Sequence, residues 1–394
     1  MQSIDLVRAG CTMSHADGPI APILFRGRFA RMAMIVAATF ALLLLGAFAW
    51  LLALSPGQPR PLVDAAGRVI PGSLSERVFV EIGGIRQGMI IQSADLSNPV
   101  LLFLHGGPGM VEFFMEEDYP TGLAQHLTMV WWEQRGAGMS FASDIPPETM
   151  TMAQMIADTI EVADYLRDRF GQERIVLLGH SWGSYLGIQV AHSAPDRFLA
   201  YIGMAQIAHQ LRSEVMARDH LLAVYRARGD ERMLRRLGAA PVSMEQGTSP
   251  AWLRLRDAAM HRAGVGHMRA MDSVVTGIFL PMWRVRAYTL HEKINIWRGK
   301  IWSRPFFWDL LLRDDLTARL TRFELPVYFL VGRHDFTANA DLSRAYFDAI
   351  KAPVKGFYLF DDSAHSPLFE APERARHILL QDVLRGMNVL ADAR

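Results

Sequence analysis

The sequence predicts an α/β protein: a mostly parallel sheet covered by helices on both faces, with an inserted helical cap, preceded by one transmembrane helix. Three observations predict it. An uncharged N-terminal run is long enough to cross a bilayer, short apolar segments alternate with a helical pattern from about residue 76, and that alternation breaks between residues 207 and 319.

Taken in chain order, no charged residue occurs between Arg31 and Arg60, and Met32–Leu54 reads MAMIVAATFALLLLGAFAWLLAL. A helix needs about 20 apolar residues to span the hydrocarbon core. Arg26, Arg28 and Arg31 precede the run and Ser55-Pro56-Gly57 ends it. The positive-inside rule then keeps residues 1–31, with the lone Cys11, cytoplasmic and exports the remainder, so that the catalytic part is extracytoplasmic. The alternative is a secreted protein, because Ala47-Phe48-Ala49 resembles a signal-peptidase site. Against cleavage, the apolar run continues past Ala49. Residues 32–54 are therefore read as a single-pass anchor within a tail, span and linker of residues 1–58.

Composition narrows the rest. With 41 Lys+Arg against 40 Asp+Glu, the chain lacks the basic excess of a nucleic-acid binder. One cysteine forms neither an intramolecular disulfide nor a thiolate metal cluster. Arg77–Ile82 and Gln87–Gln92 flank Gly83-Gly84 as an opening hairpin. Buried strands are expected at Val100–Leu104, Met129–Trp132, Ile175–Leu178, Ala200–Met204, Val327–Val331 and Phe357–Phe360. Each is a short apolar run, as parallel strands covered on both faces require. Met152–Phe170 carries apolar residues at helical spacing and is closed by Gly171. The divisions expected are residues 59–206 and 320–394 for the two parts of the core and 207–319 for the cap. Five tryptophans, Trp252, Trp283, Trp297, Trp302 and Trp308, belong either to an apolar pocket or to the packing of that cap.

The chemistry sits at strand ends. Gly179-His180-Ser181-Trp182-Gly183 follows the strand at Ile175–Leu178 and precedes a helical run. G-x-S-x-G in that setting is a nucleophile elbow: small residues permit a strained turn that lifts the Ser181 hydroxyl above the sheet. The N–H of Trp182 then faces a developing oxyanion. His105-Gly106-Gly107-Pro108-Gly109 follows the strand at Val100–Leu104, where the second oxyanion donor is needed, and Gly107 N–H is the choice. A serine needs a base and an orienting carboxylate. Asp335 and His365 lie just beyond two later strands and supply them in the order that the elbow fold uses. His334 and the carboxylates Asp361 and Asp362 compete for these roles, but His334 adjoins Asp335 on one turn and points elsewhere.

The elbow, HGGPG, the stretch Trp131-Trp132-Glu133-Gln134-Arg135-Gly136-Ala137-Gly138-Met139-Ser140 and the two downstream turns resemble the α/β-hydrolase superfamily. Within it they look like the prolyl aminopeptidase group of serine peptidases, over about residues 76–206 and 320–375. The resemblance implies a Ser181–His365–Asp335 triad, oxyanion donors at Gly107 and Trp182, and no metal or organic cofactor. It also implies acidic side chains that hold a substrate's free amino group. Glu133 stands where the group usually has Asp, the group's cap motif is not matched, and Glu214, Asp272 and Glu292 are the cap carboxylates available for substrate binding.

The function expected is a membrane-anchored serine hydrolase that forms an acyl-enzyme with a small substrate, a short peptide first and an ester second. A carboxylesterase or lipase-like enzyme with the same triad is the alternative. An inactive, membrane-tethered binding module is the third reading. Ser181 argues against epoxide hydrolase and haloalkane dehalogenase chemistry, which place Asp at the elbow.

Overall fold

The computed structural model describes residues 23–392, so residues 1–22 of the tail expected to be cytoplasmic, Cys11 included, lie outside the described residues. The chain divides after residue 51 into two compact units. The first contains most of helix α1 (Ile23–Ala53), of which Phe29–Ala53 has a mean hydropathy of 2.5 and no buried part. That helix is long and apolar enough to cross a membrane. Phe29, Phe40, Phe48 and the run Leu42–Leu45 on it are exposed.

In the second unit an eight-stranded sheet runs in the order β1-β2-β4-β3-β5-β6-β7-β8. The strands are β1 (Leu74–Ile82), β2 (Ile85–Ser93), β3 (Val100–Leu104), β4 (Thr128–Trp132), β5 (Ile175–His180), β6 (Phe198–Met204), β7 (Val327–Gly332) and β8 (Lys355–Phe360). The hairpin β1–β2 and the pair β2–β4 are antiparallel, and every other pair is parallel. Several strands extend one to three residues beyond the apolar runs, because their ends pair through backbone and need no apolar side chain. β3 is buried throughout, its alternate residues turned to opposite faces: Leu102 and Leu104 join one core, Leu101 and Phe103 the other. A continuous apolar run is what this two-sided cover demands.

Helix α2 (Met152–Phe170) begins where the Thr151 side chain accepts from Gln154 N–H and ends at Gly171, in the left-handed region. Met155, Val162, Ala163 and Leu166 cover the sheet from it. Helix α3 (Trp182–Ser193) starts directly at the elbow and crosses behind β5 and β6.

Between β6 and β7 the chain is mainly helical. Helices α4 (Gln210–Ala227), α5 (Glu231–Gly238) and α6 (Pro250–Ala263) share a small core around Leu221, Tyr225, Trp252 and Leu255. Two features add detail to this helical insertion. Val242–Ser243 pairs with Gly247–Thr248 as a ribbon too short to leave a periodic signal. Helix α7 (Leu290–Arg313) packs Ile296 into one sheet core and Phe307 and Leu311 into the other. Each such side chain contributes about 1.5–3 kcal/mol by leaving water.

Candidate active site

Six parallel strands end on one edge of the sheet, so the loops after β3, β5, β7 and β8 meet there. Ser181 occupies the turn from β5 to α3 with φ 55° and ψ −118°. A non-glycine residue held there costs about 1–3 kcal/mol, which the surrounding packing must offset. The packing is close: a Cβ on Gly183 would lie 2.0 Å from Leu104 O, and one on Gly179 would lie 2.2 Å from Gly183 O. These contacts explain why the elbow brackets its serine with glycines.

Trp182 is the first residue of α3, so its N–H has no acceptor within the helix. Gly107 takes φ +124°, a conformation that a side chain opposes, and lines the same cavity as Ser181 and His365. The cavity holds about 150 Å³.

Asp335 follows β7 and is fully buried. Its Oδ1 accepts from the N–H groups of Thr337 and Ala338, leaving Oδ2 at 2.8 Å from His365 Nδ1. A carboxylate only accepts, so Nδ1 carries the proton and Nε2 is left as a free base. The competing groups lie elsewhere. His334 does not line the cavity, Asp361 pairs with exposed Arg333, and Asp362 is exposed.

Two networks hold these parts in register. His105 Nε2 accepts from Gln134 N–H, the Gln134 amide donates to His105 O, and its oxygen accepts from the Trp182 indole. Gln134 thereby ties the loop after β4 to both the HGGPG loop and the elbow. In the second network His180 Nδ1 faces the Glu112 carboxylate at 2.8 Å and Nε2 faces His365 O at 2.9 Å. An ionised carboxylate and a backbone carbonyl both accept, so this pocket favours the charged, doubly protonated ring of His180. Burial opposes that charge, but Glu112 outweighs it and holds the His180 pKa above its ordinary value. The x of the G-x-S-x-G motif thus fixes the backbone of His365.

Three of the four carboxylates expected to bind substrate are engaged elsewhere. Glu133 is buried, accepting from Met139 N–H and from Tyr288 OH. Burial pushes its pKa up to about 8, against the pull of those two donors. Glu214 accepts from Gln210, the Trp252 indole and Arg256. Glu292 closes a capping box with Thr289 and pairs with Arg77, and Asp272 is exposed. None of the four lines the cavity. Helix-surface carboxylates are common in sequence, and only packing shows which are already bonded.

Several lining residues had no sequence signal: His267, Arg256, Asp257, Lys300 and Arg304. His267 is neutral, because burial and then the neighbouring His180 and His365 hold its pKa well below the ordinary value. Its ring centroid is 6.1 Å from that of His365, and its Nε2 has no partner among the described residues. No group of three or more metal-ligating side chains occurs among the described residues.

A parallel sheet with a serine elbow, a buried His–Asp pair and a glycine loop at one edge defines a serine-hydrolase scaffold. The chain belongs to the alpha/beta hydrolase fold family, whose model matches residues 99–372. This family is strongly associated with serine-hydrolase catalysis, and the chain is homologous to its proline iminopeptidase-like members. A probable aminopeptidase of Bacillus subtilis, YbaC, is 31% identical over 309 residues, covering 77% of this chain and 95% of that protein. Among solved structures, the proline iminopeptidase of Mycobacterium smegmatis superposes with a TM-score of 0.55 at 20% identity, covering 79% of this chain and 98% of the other. A proline iminopeptidase-related protein of Thermus thermophilus gives 0.54 at 21% identity, with 80% and 98% covered. At that identity the two structures speak to the fold alone.

Proposed function

We propose that the protein is a serine hydrolase that cleaves the acyl bond of a small substrate, with short peptides as the leading class. The observation that carries the reading is the 2.8 Å His365–Asp335 contact on a cavity that Ser181 also lines. In the reaction Ser181 Oγ attacks the carbonyl carbon as its proton passes to His365 Nε2. Asp335 accepts from Nδ1–H throughout and stabilises the imidazolium. The tetrahedral oxyanion is met by the N–H groups of Gly107 and Trp182, which favour it over the neutral carbonyl. His365 then gives its proton to the leaving amine or alkoxide. Water, deprotonated by His365, releases the acyl group and restores Ser181.

The homologous probable aminopeptidase supports the peptide class. An esterase is the second reading. It is favoured by the cavity's carboxylates, since Glu112 faces His180 and Asp257 pairs with Arg256, leaving neither unpaired for a substrate amine. A fluorophosphonate probe should label the wild type and not Ser181→Ala; an unlabelled, folded wild type would reject the enzyme. Turnover of proline and alanine amides against short acyl esters separates the two classes, and activity on esters alone would reject the peptidase.

For location we propose a single-pass anchor through residues 32–54 with the catalytic unit outside the cytoplasm, supported by the length and exposure of α1. Secretion after cleavage near Ala49 is the alternative. The intact N-terminal segment should be found by mass in the membrane fraction; a mature N-terminus at Trp50 would overturn the anchor.

A further inference from the structure

One part of the cavity wall carries more positive charge than its surroundings balance. Arg256, from α6, and Lys300 and Arg304, one turn apart on α7, all line it. Arg256 is nine-tenths buried; its Nε donates to Glu214 at 2.9 Å and its Nη1 to Asp257 at 2.7 Å. Its Nη2 is buried with no partner. Lys300 and Arg304 lie over the rings of Trp297 and Trp308, at 5.5 and 4.6 Å from the centroids. Neither has an ion pair or a side-chain hydrogen bond among the described residues. Three cations therefore share two carboxylates, Glu214 and Asp257, and one positive charge is left over.

Such a surplus is costly in a partly dry site. Burial pushes Lys300 below its ordinary pKa, and Arg304 and Arg256 add to this; burial and then Arg256 do the same to Arg304. An anion placed among them would relieve all three. Their position suits a reacting molecule, because α7 runs against the oxyanion loop: a Cβ on Gly109 would lie 3.3 Å from Lys300 Cα and 3.2 Å from Gly299 O.

From this juxtaposition we infer that the cavity recognises a carboxylate on the substrate, bound by Arg256 Nη2, Lys300 and Arg304 while the acyl carbon sits at Ser181. A monoanion matches the single surplus charge, whereas a phosphate carries about −1.5 to −2 at neutral pH. A substrate ammonium group is repelled from this wall. For a peptide the carboxylate is the free C-terminus of a di- or tripeptide; for an ester it is a terminal acid on the acyl chain. The inference rests on the serine-hydrolase reading for its substrate geometry, but the charge recognition is measurable without turnover.

The test uses the full chain in detergent and p-nitrophenyl esters of equal length. One is the adipate half ester; the others end in methyl, trimethylammonium and phosphonate. Ala-Ala and Ala-Ala amide form a second pair with the charge on the leaving group. The wild type should favour the carboxylate over its neutral match by tenfold or more in kcat/KM in at least one pair. That ratio should fall towards one in Lys300→Gln/Arg304→Gln. In Lys300→Glu/Arg304→Glu the preference should shift to the trimethylammonium ester. Equal rates in the wild type for both pairs, preference for the cation or the phosphonate, or a ratio unmoved by the double substitution would each overturn the inference. Fluorophosphonate labelling of Ser181 verifies that each variant retains an assembled site. Binding of adipate to Ser181→Ala, read as a rise in Tm that the added Lys300→Gln/Arg304→Gln changes abolish, reports the anion site independently. Adipate binding without any labelling or turnover would sink the hydrolase reading alone. Turnover of neutral esters without adipate binding or charge preference would sink the carboxylate site alone.

Discussion

Tyr288 OH donates to Glu133 Oε1 at 2.5 Å, and both side chains are buried. A hydroxyl from the segment between β6 and β7 thus ends on a carboxylate that follows β4. Glu133 Oε2 is taken by Met139 N–H, so the side chain joins core to insertion and does not face the substrate cavity.

Stability should depend on pH through Glu133. Its folded pKa of about 8 lies above the ordinary 4.5. The folded state therefore holds the proton more tightly, a contribution that is complete below the unfolded pKa and is lost as pH rises through the folded one. Glu133→Gln cannot ionise, so the Tm of the wild type should fall relative to the variant between about pH 4.5 and 8. Parallel curves over this window would show that Glu133 is ionised at neutral pH.

Asp335→Asn should lower kcat by roughly 10³–10⁴-fold with little change in Tm. The Asn oxygen can keep the N–H groups of Thr337 and Ala338, which turns its NH₂ toward His365 Nδ1. Nδ1 must then accept, the proton moves to Nε2, and the base is lost. Steady-state kinetics beside a melting curve checks both halves; unchanged turnover would mean that another acid orients the histidine.

The buried pair Arg135–Asp158 should matter to folding more than to chemistry. Asp158 accepts from Arg135 at 2.8 and 3.0 Å, and both side chains are fully buried. Removing one partner strands the other's charge, so Asp158→Ala should cost about 3–5 kcal/mol. Adding Arg135→Met should restore part of that loss. Urea unfolding of the three proteins measures it, and a double variant no more stable than Asp158→Ala would contradict the account.

Gly183→Ala should damage the elbow. The new Cβ would lie 2.0 Å from Leu104 O, a backbone atom that moves only if β3 moves. Overpacking of this kind costs about 1–3 kcal/mol, and the displaced serine should react more slowly. The rate of fluorophosphonate labelling of Ser181, with stability measured alongside, reads both effects; labelling at the wild-type rate would show that β3 yields without disturbing the nucleophile.

Much of this site is legible in one dimension because its parts are local. Ser181 and its bracketing glycines lie within five residues of one another, and Gly107 lies directly behind a strand. Their chemistry is set by the turns they occupy. Asp335 and His365 were accessible for a related reason: parallel strands end on one edge, so a polar residue after an apolar run is already near the serine. The cap carboxylates had no such rule. Glu214 and Glu292 read as surface acids of helices, but one meets Arg256, 42 residues away, and the other Arg77, 215 residues away.

The sequence by itself determined the alternation of strands and helices, the apolar helix near the N-terminus, the elbow, and the residues available as base and acid. Each follows from periodicity or from a turn of a few residues. Only the tertiary structure decided that His180 faces Glu112 and a backbone carbonyl, that Glu133 bonds to Tyr288, and that Arg256, Lys300 and Arg304 share one cavity wall. The reason is physical. The charge and availability of an ionisable side chain depend on burial and on partners from distant parts of the chain, and no local pattern encodes them.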